Sequence, residues 1–151
     1  MSLAPRVQMD VLVEAEAPSV PEGPPDRVTI LIVDDTPDAR DIYSLYLQHK
    51  GFAVLTARDG DEGVELARAH RPDVIIMDLA MARLDGIAAT KRLKRDARTR
   101  RAAVIVLTAY PGKPVQQQAL EAGASLFLTK PCLPDELEAH VRRLIAAQPP
   151  R

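Results

Sequence analysis

From Arg27 onward, short apolar runs alternate with longer segments in which apolar residues recur at helical spacing. Residues 28–33, 53–57, 74–77, 104–107 and 126–128 read as strands, several of them continuously apolar, as strands covered on both faces are. Between the strands, residues 38–50 bring Ala39, Ile42, Tyr43, Tyr46 and Leu47 to one helical face. Residues 134–147 do the same with Leu137, Val141, Leu144 and Ile145. Helices over 61–70, 87–95 and 115–122 complete five repeats of strand then helix. No Asn-Gly or Asp-Gly joins neighbouring runs as a hairpin, so the expected fold class is α/β, a doubly wound five-stranded parallel sheet with helices on both faces.

The first 26 residues break this pattern. They hold five prolines, five acids and one base, Arg6, and read as a flexible Pro-rich acidic N-terminal tail. Residues 27–147 form the expected domain, and 148–151 a short C-terminal tail that leaves no attached output domain. A composition 46% hydrophobic and 27% charged is globular, and with only five aromatics the core must be built from Val, Ile, Leu and Ala. The net charge of −1 excludes a general polyanion binder, so any electrostatic function is local. A single cysteine, Cys132, excludes an intramolecular disulfide and the usual zinc site. No stretch is long and apolar enough for a membrane span and no signal peptide is evident, so a cytoplasmic protein without membrane contact is expected.

In a doubly wound sheet, ligands bind outside the carboxyl ends of the strands, where strand order reverses. After the first strand comes Asp34-Asp35-Thr36-Pro37, after the third Asp78, after the fourth Thr108-Ala109, and after the fifth Lys130-Pro131. Strand two ends on Ala57-Arg58-Asp59-Gly60. Carboxylates on one rim repel, by about 4 kcal/mol per pair at ~4 Å and an effective dielectric near 20. A hard divalent ion such as Mg²⁺ (or Mn²⁺) suits Asp34, Asp35 and Asp78, and Lys130 adds a fixed positive charge. So flanked, Asp78 stays ionised and can attack phosphorus as a carboxylate nucleophile, with Thr108 as a donor hydroxyl and Ala109 leaving room for the phosphoryl group.

These residues, with 30–35, 73–78, 81–86, 106–109 and 126–131, resemble the receiver domain of two-component response regulators over residues 27–147. The resemblance implies a flavodoxin-like (βα)5 fold and a stand-alone signalling protein that catalyses only its own phosphorylation and dephosphorylation. Asp78 would accept a phosphoryl group from a sensor histidine kinase or a histidine phosphotransfer protein. Asp34, Asp35 and Asp78 would hold Mg²⁺ with the backbone carbonyl of Ala80, and Lys130 and Thr108 would contact phosphoryl oxygens. Thr108 and Phe127 would form the switch, altering the face of the fourth helix, fifth strand and fifth helix for a separate downstream effector. The Lys130-Pro131 bond is usually cis in relatives. The chain would be a monomer or a phosphorylation-dependent homodimer. Met81 is followed by Ala82 where the family usually has proline, which predicts a looser loop. Ala80 and Tyr110, at the positions that commonly tune phosphoryl lifetime, predict slow self-dephosphorylation.

Other readings fit less of the chain. Thr36 and Pro37 alone would do as a helix start, and Pro111 and Pro114 either restrict the loop they flank or set the start of the fourth helix. A haloacid-dehalogenase-type phosphohydrolase wants Asp at position 36, and a flavodoxin-type flavin carrier wants a Gly/Ser/Thr-rich phosphate loop there. The basic run 91–101, with seven bases and one acid, lacks a reading helix or stacking aromatics, so direct nucleic-acid binding is not expected. His49, His70 and His140 have no ligand spacing. A phosphorylation-independent receiver-like adaptor remains the alternative function.

Overall fold

The computed structural model describes residues 27–79, 81 and 85–149. The elements are β1 (Thr29–Val33), α1 (Pro37–His49), β2 (Ala53–Ala57), α2 (Gly60–His70), β3 (Val74–Asp78), α3 (Gly86–Arg95), β4 (Ala103–Thr108), α4 (Lys113–Ala122), β5 (Leu126–Thr129) and α5 (Pro134–Ala147). All five strands are parallel, in the order β2-β1-β3-β4-β5. The expected residues 1–26 tail and the loosened loop at 82–84 lie outside the described residues.

Strand periodicity sends alternate side chains to opposite faces and so builds two core layers. Leu31, Val33, Ile75, Met77, Val104 and Val106 face the layer that also holds Val64 and Ala67 of α2, Ala89 and Leu93 of α3, and Ala119 of α4. Ile30, Ile32, Val74, Ile76, Ile105 and Leu107 face the other, with Tyr43 and Leu47 of α1 and Leu137 and Val141 of α5. Each fully buried Leu or Ile in these layers contributes about 2 kcal/mol.

Local chemistry sets the helix starts. Asp59 accepts from the Glu62 N–H at 2.9 Å to open α2, and Asp85 accepts from the Ala88 N–H at 2.8 Å to open α3. Pro114 sits in the first turn of α4, so the two prolines of that loop flank a helix start. Gly86 opens α3 because nothing larger fits. A Cβ there would lie 2.3 Å from the Asp78 carbonyl oxygen, so α3 begins pressed against the end of β3.

Element ends and one helix face differ from the sequence reading, with β1, β4 and α4 beginning at Thr29, Ala103 and Lys113 where residues 28, 104 and 115 were expected. Strands β3, β4 and β5 run one residue further, onto Asp78, Thr108 and Thr129, because backbone pairing continues where the apolar run stops. Ile42, expected on the buried face of α1, is 56% exposed. The stripe that meets the sheet is narrower, with Tyr43 and Leu47 buried and Ala39 and Tyr46 only partly so.

Candidate functional site

The sheet order reverses between β1 and β3, and the carboxyl ends of these two neighbours carry Asp34 and Asp78. Both are buried, at 3% and 6% exposure, while Asp35 stands exposed beside them. Oxygens of Asp34, Asp35 and Asp78 all lie within 4.8 Å of one another. Across this cluster reaches Lys130 from the end of β5, its Nζ 3.2 Å from Asp34 Oδ2 and 3.8 Å from Asp78 Oδ2. The ammonium offsets part of the repulsion that would otherwise raise the cost of two buried carboxylates.

The loops are fixed by hydrogen bonds that leave carboxylate oxygens facing the rim. The Thr36 N–H donates to Asp34 Oδ1 at 2.9 Å, and Arg40 donates to the Asp34 carbonyl at 2.7 Å. Thr36 stands at the N-cap of α1, but its side chain makes no capping bond, so the turn is organised by Asp34 instead. The Lys130 N–H donates to the Thr108 carbonyl at 2.8 Å, which ties the end of β5 to that of β4. Thr108 is 2% exposed and its Oγ1 accepts from the Tyr110 N–H at 3.1 Å. Ala109 next to it is exposed, and Phe127 is half-buried against the core layer beneath α2, α3 and α4. The Lys130–Pro131 peptide is cis.

Behind the lysine, the Tyr43 hydroxyl donates to the Cys132 carbonyl at 2.7 Å. Burial, with smaller contributions from Cys132 and Asp34, pushes the Tyr43 phenol up to about 12, so it remains a donor throughout the neutral range. Burial likewise pushes the Cys132 thiol up, which disfavours the reactive thiolate.

Asp34, Asp35, Asp78, Thr108 and Lys130, predicted from strand ends, thus meet at one rim. Phe127 lies at the neighbouring strand, and Ala80 is outside the described residues. Sequence reasoning missed Arg40 and Tyr43. Tyr43 was legible as a buried helix residue, but its hydroxyl partner lies 89 residues away. The three histidines contribute no ligand atom to the acid cluster.

The donor set is carboxylate oxygen only, closely spaced and partly exposed, which fits a hard divalent ion such as Mg²⁺ better than a softer metal. Fold and site together define a small parallel α/β domain with an acidic pocket at its topological switch point. The response regulator receiver domain model matches residues 30–142, and the chain belongs to this family, the receiver of two-component systems. It is 40% identical over 116 residues to the DNA-binding dual master transcriptional regulator RpaA of Synechocystis sp., covering 77% of this chain and 48% of that one. It is 37% identical over 117 residues to the protein PilH of Pseudomonas aeruginosa, covering 78% of this chain and 97% of PilH. The chain therefore spans about half the length of the first curated relatives it matches and nearly all of PilH. Among solved structures, chemotaxis protein CheY4 of Vibrio cholerae superposes with a TM-score of 0.75 at 30% identity, over 78% of this chain and 98% of that one. Among the described residues, no helix is long and apolar enough to cross a membrane.

Proposed function

We propose that Asp78 accepts a phosphoryl group from a phosphohistidine, and that the resulting acyl phosphate changes the surface formed by α4, β5 and α5. The observation that carries this reading is the cluster of three carboxylates within 4.8 Å, with the Lys130 ammonium across two of them. An Asp78 Oδ attacks phosphorus as the bond from phosphorus to the imidazole nitrogen breaks, and that nitrogen keeps the bonding pair. Lys130 and Thr108 bind the phosphoryl oxygens, where they oppose the charge spread over them in the transition state. Asp34, Asp35 and Asp78 would hold Mg²⁺ or Mn²⁺. Such an ion supplies positive charge against the incoming phosphoryl group.

Thr108 is the first element of the switch, because among the described residues its hydroxyl is held by the Tyr110 N–H alone and can turn toward a phosphoryl group. Phe127 on the adjacent strand then repacks inward. The population shift is driven by phosphoryl contacts made in one state and absent from the other. The donor is a sensor histidine kinase or phosphotransfer protein in the cytoplasm, and the reader is an effector that binds this surface.

The test is intact-mass spectrometry of the protein with acetyl phosphate, with and without Mg²⁺, beside Asp78→Asn. One phosphoryl adduct that requires both the metal and Asp78 is expected, with a half-life longer than a minute. An adduct on Asp78→Asn would refute the assignment, and none from acetyl phosphate or phosphorylated kinases would favour a phosphorylation-independent adaptor.

A further inference from the structure

A second polar cavity lies at the opposite end of the sheet. This cleft of about 380 Å³ is lined by Arg71, Pro72, Asp73, Arg98, Arg101 and Ala102, among others. Asp73 directly precedes β3, so the length of that strand, about 16 Å, separates the cleft from Asp78. Three guanidiniums meet one carboxylate here. Asp73 Oδ2 accepts from the Thr29 N–H at 2.9 Å, and Asp96 clamps Arg98 through Nε at 3.1 Å and Nη2 at 2.8 Å. That bidentate pairing occupies one edge of the Arg98 fork and fixes the other. Arg71 and Arg101 are exposed and have no ion-pair partner among the described residues.

Helix ends do not account for these charges. Helices α2, α3 and α5 finish at this end of the sheet, where unpaired carbonyls would attract cations. Each last turn already has a donor of its own. The Arg71 N–H donates to the Ala67 carbonyl at 2.8 Å, the Thr99 hydroxyl to the Leu93 carbonyl at 2.6 Å, and the Gln148 N–H to the Ile145 carbonyl at 3.1 Å. The Arg71 and Arg101 guanidiniums are therefore left for an external anion.

We propose that this cleft binds a small phosphate monoester, its phosphate held by Arg71, Arg101 and the outer edge of Arg98. Charge and size give the class. Three bases against one acid leave an excess of two, which matches the charge of about −1.5 to −2 that a phosphate monoester carries near neutral pH. A single carboxylate would leave one guanidinium unmatched. The volume suits a small molecule, and among the described residues no aromatic side chain lines the cleft to stack the bases of a nucleic acid. Pro72 and Ala102, both buried, offer the organic part of the ester an apolar wall. Two or three charge-assisted hydrogen bonds give a dissociation constant on the order of 1 mM. Such a ligand bridges the loops that follow α2 and α3, and gives the domain an input separate from Asp78.

The experiment is amide chemical-shift mapping of the full chain, without divalent metal, titrated with glycerol 3-phosphate and with inorganic phosphate. Saturable shifts of the amides of Arg71, Asp73, Arg98, Arg101 and Ala102 are expected from both, and none from glycerol or from acetate at matched ionic strength. Arg71→Gln/Arg101→Gln should weaken binding by about tenfold or more, while the amides of Leu31, Ile75 and Ile105 report an intact core. Arg95→Gln removes an exposed charge outside the cleft and should leave the affinity unchanged. An equal response to acetate would reduce the effect to general charge screening and overturn the proposal. So would shifts that survive the double substitution, or shifts that centre on Thr108 and Lys130.

Discussion

At the carboxyl ends of the strands, two buried carboxylates and an exposed one are crowded within 4.8 Å, with Lys130 reaching across two of them. At the amino ends, the charges around Asp96 are matched closely. Asp96 takes Arg98 and Arg68, and the Arg98 guanidinium above all holds its carboxyl well below the usual carboxylate range. The Lys94 ammonium donates to the Arg100 and Ala102 carbonyls at 3.0 and 2.6 Å, and buried Thr99 Oγ1 donates to the Leu93 carbonyl at 2.6 Å. The same sheet therefore keeps its electrostatic conflict at one end and resolves it at the other. Stability and chemistry are drawn from different ends, and substitutions should separate them.

Gly86→Ala tests how tightly the carboxyl end is built. With a Cβ 2.3 Å from the Asp78 carbonyl oxygen, the start of α3 must shift, and a loss of about 2–3 kcal/mol in urea unfolding is expected. A loss below about 0.5 kcal/mol would mean that α3 is loosely seated there.

Lys94→Met probes the resolved end. It keeps the apolar stem but strands two carbonyls, and a loss of about 1–2 kcal/mol is expected by the same measurement. Burial pushes the Lys94 ammonium below its usual value, so the unfolded chain binds its proton more tightly than the folded one. Wild-type stability should accordingly rise with pH in the alkaline window just below the ordinary lysine value, and Lys94→Met should remove that part of the slope. An unchanged slope would show that the ammonium is solvated.

Asp78→Asn addresses the unresolved end. Without metal it should stabilise the protein by about 1 kcal/mol by relieving repulsion, although it abolishes the proposed phosphoryl chemistry. Mg²⁺ at tenfold its dissociation constant should stabilise the wild type by about 1.4 kcal/mol and the variant by less, as read from thermal unfolding. Destabilisation by Asp78→Asn would mean that Asp78 is held by favourable contacts, and the contrast between the two ends would fail.

The site was legible because each of its polar residues lies within two positions of the end of an apolar run, and parallel topology brings such positions together whatever their separation in sequence. Asp34, Asp78, Thr108 and Lys130 were found this way. Arg40, Gly86 and Tyr43 were not, since their roles depend on distances between elements that periodicity does not encode. The basic run 91–101 was legible only as a run of seven bases and one acid, and in the structure its members divide. Lys94 secures the turn into β4, Arg98 pairs with Asp96, and Arg101 lines the cleft. Ile42 shows the converse error, in which helical spacing names a face broader than the sheet can cover.

The hydrogen bond from Tyr43 to the Cys132 carbonyl joins the first helix to the loop behind the lysine, across 89 residues. Loop-closure entropy makes so distant a contact costlier to close than the local contacts of either element. The ammonium that faces Asp34 and Asp78 comes from the residue after β5, the last strand of the sheet. The pocket thus reaches its final charge balance only when the last strand and helix have docked, so incomplete chains display the acids without the finished site.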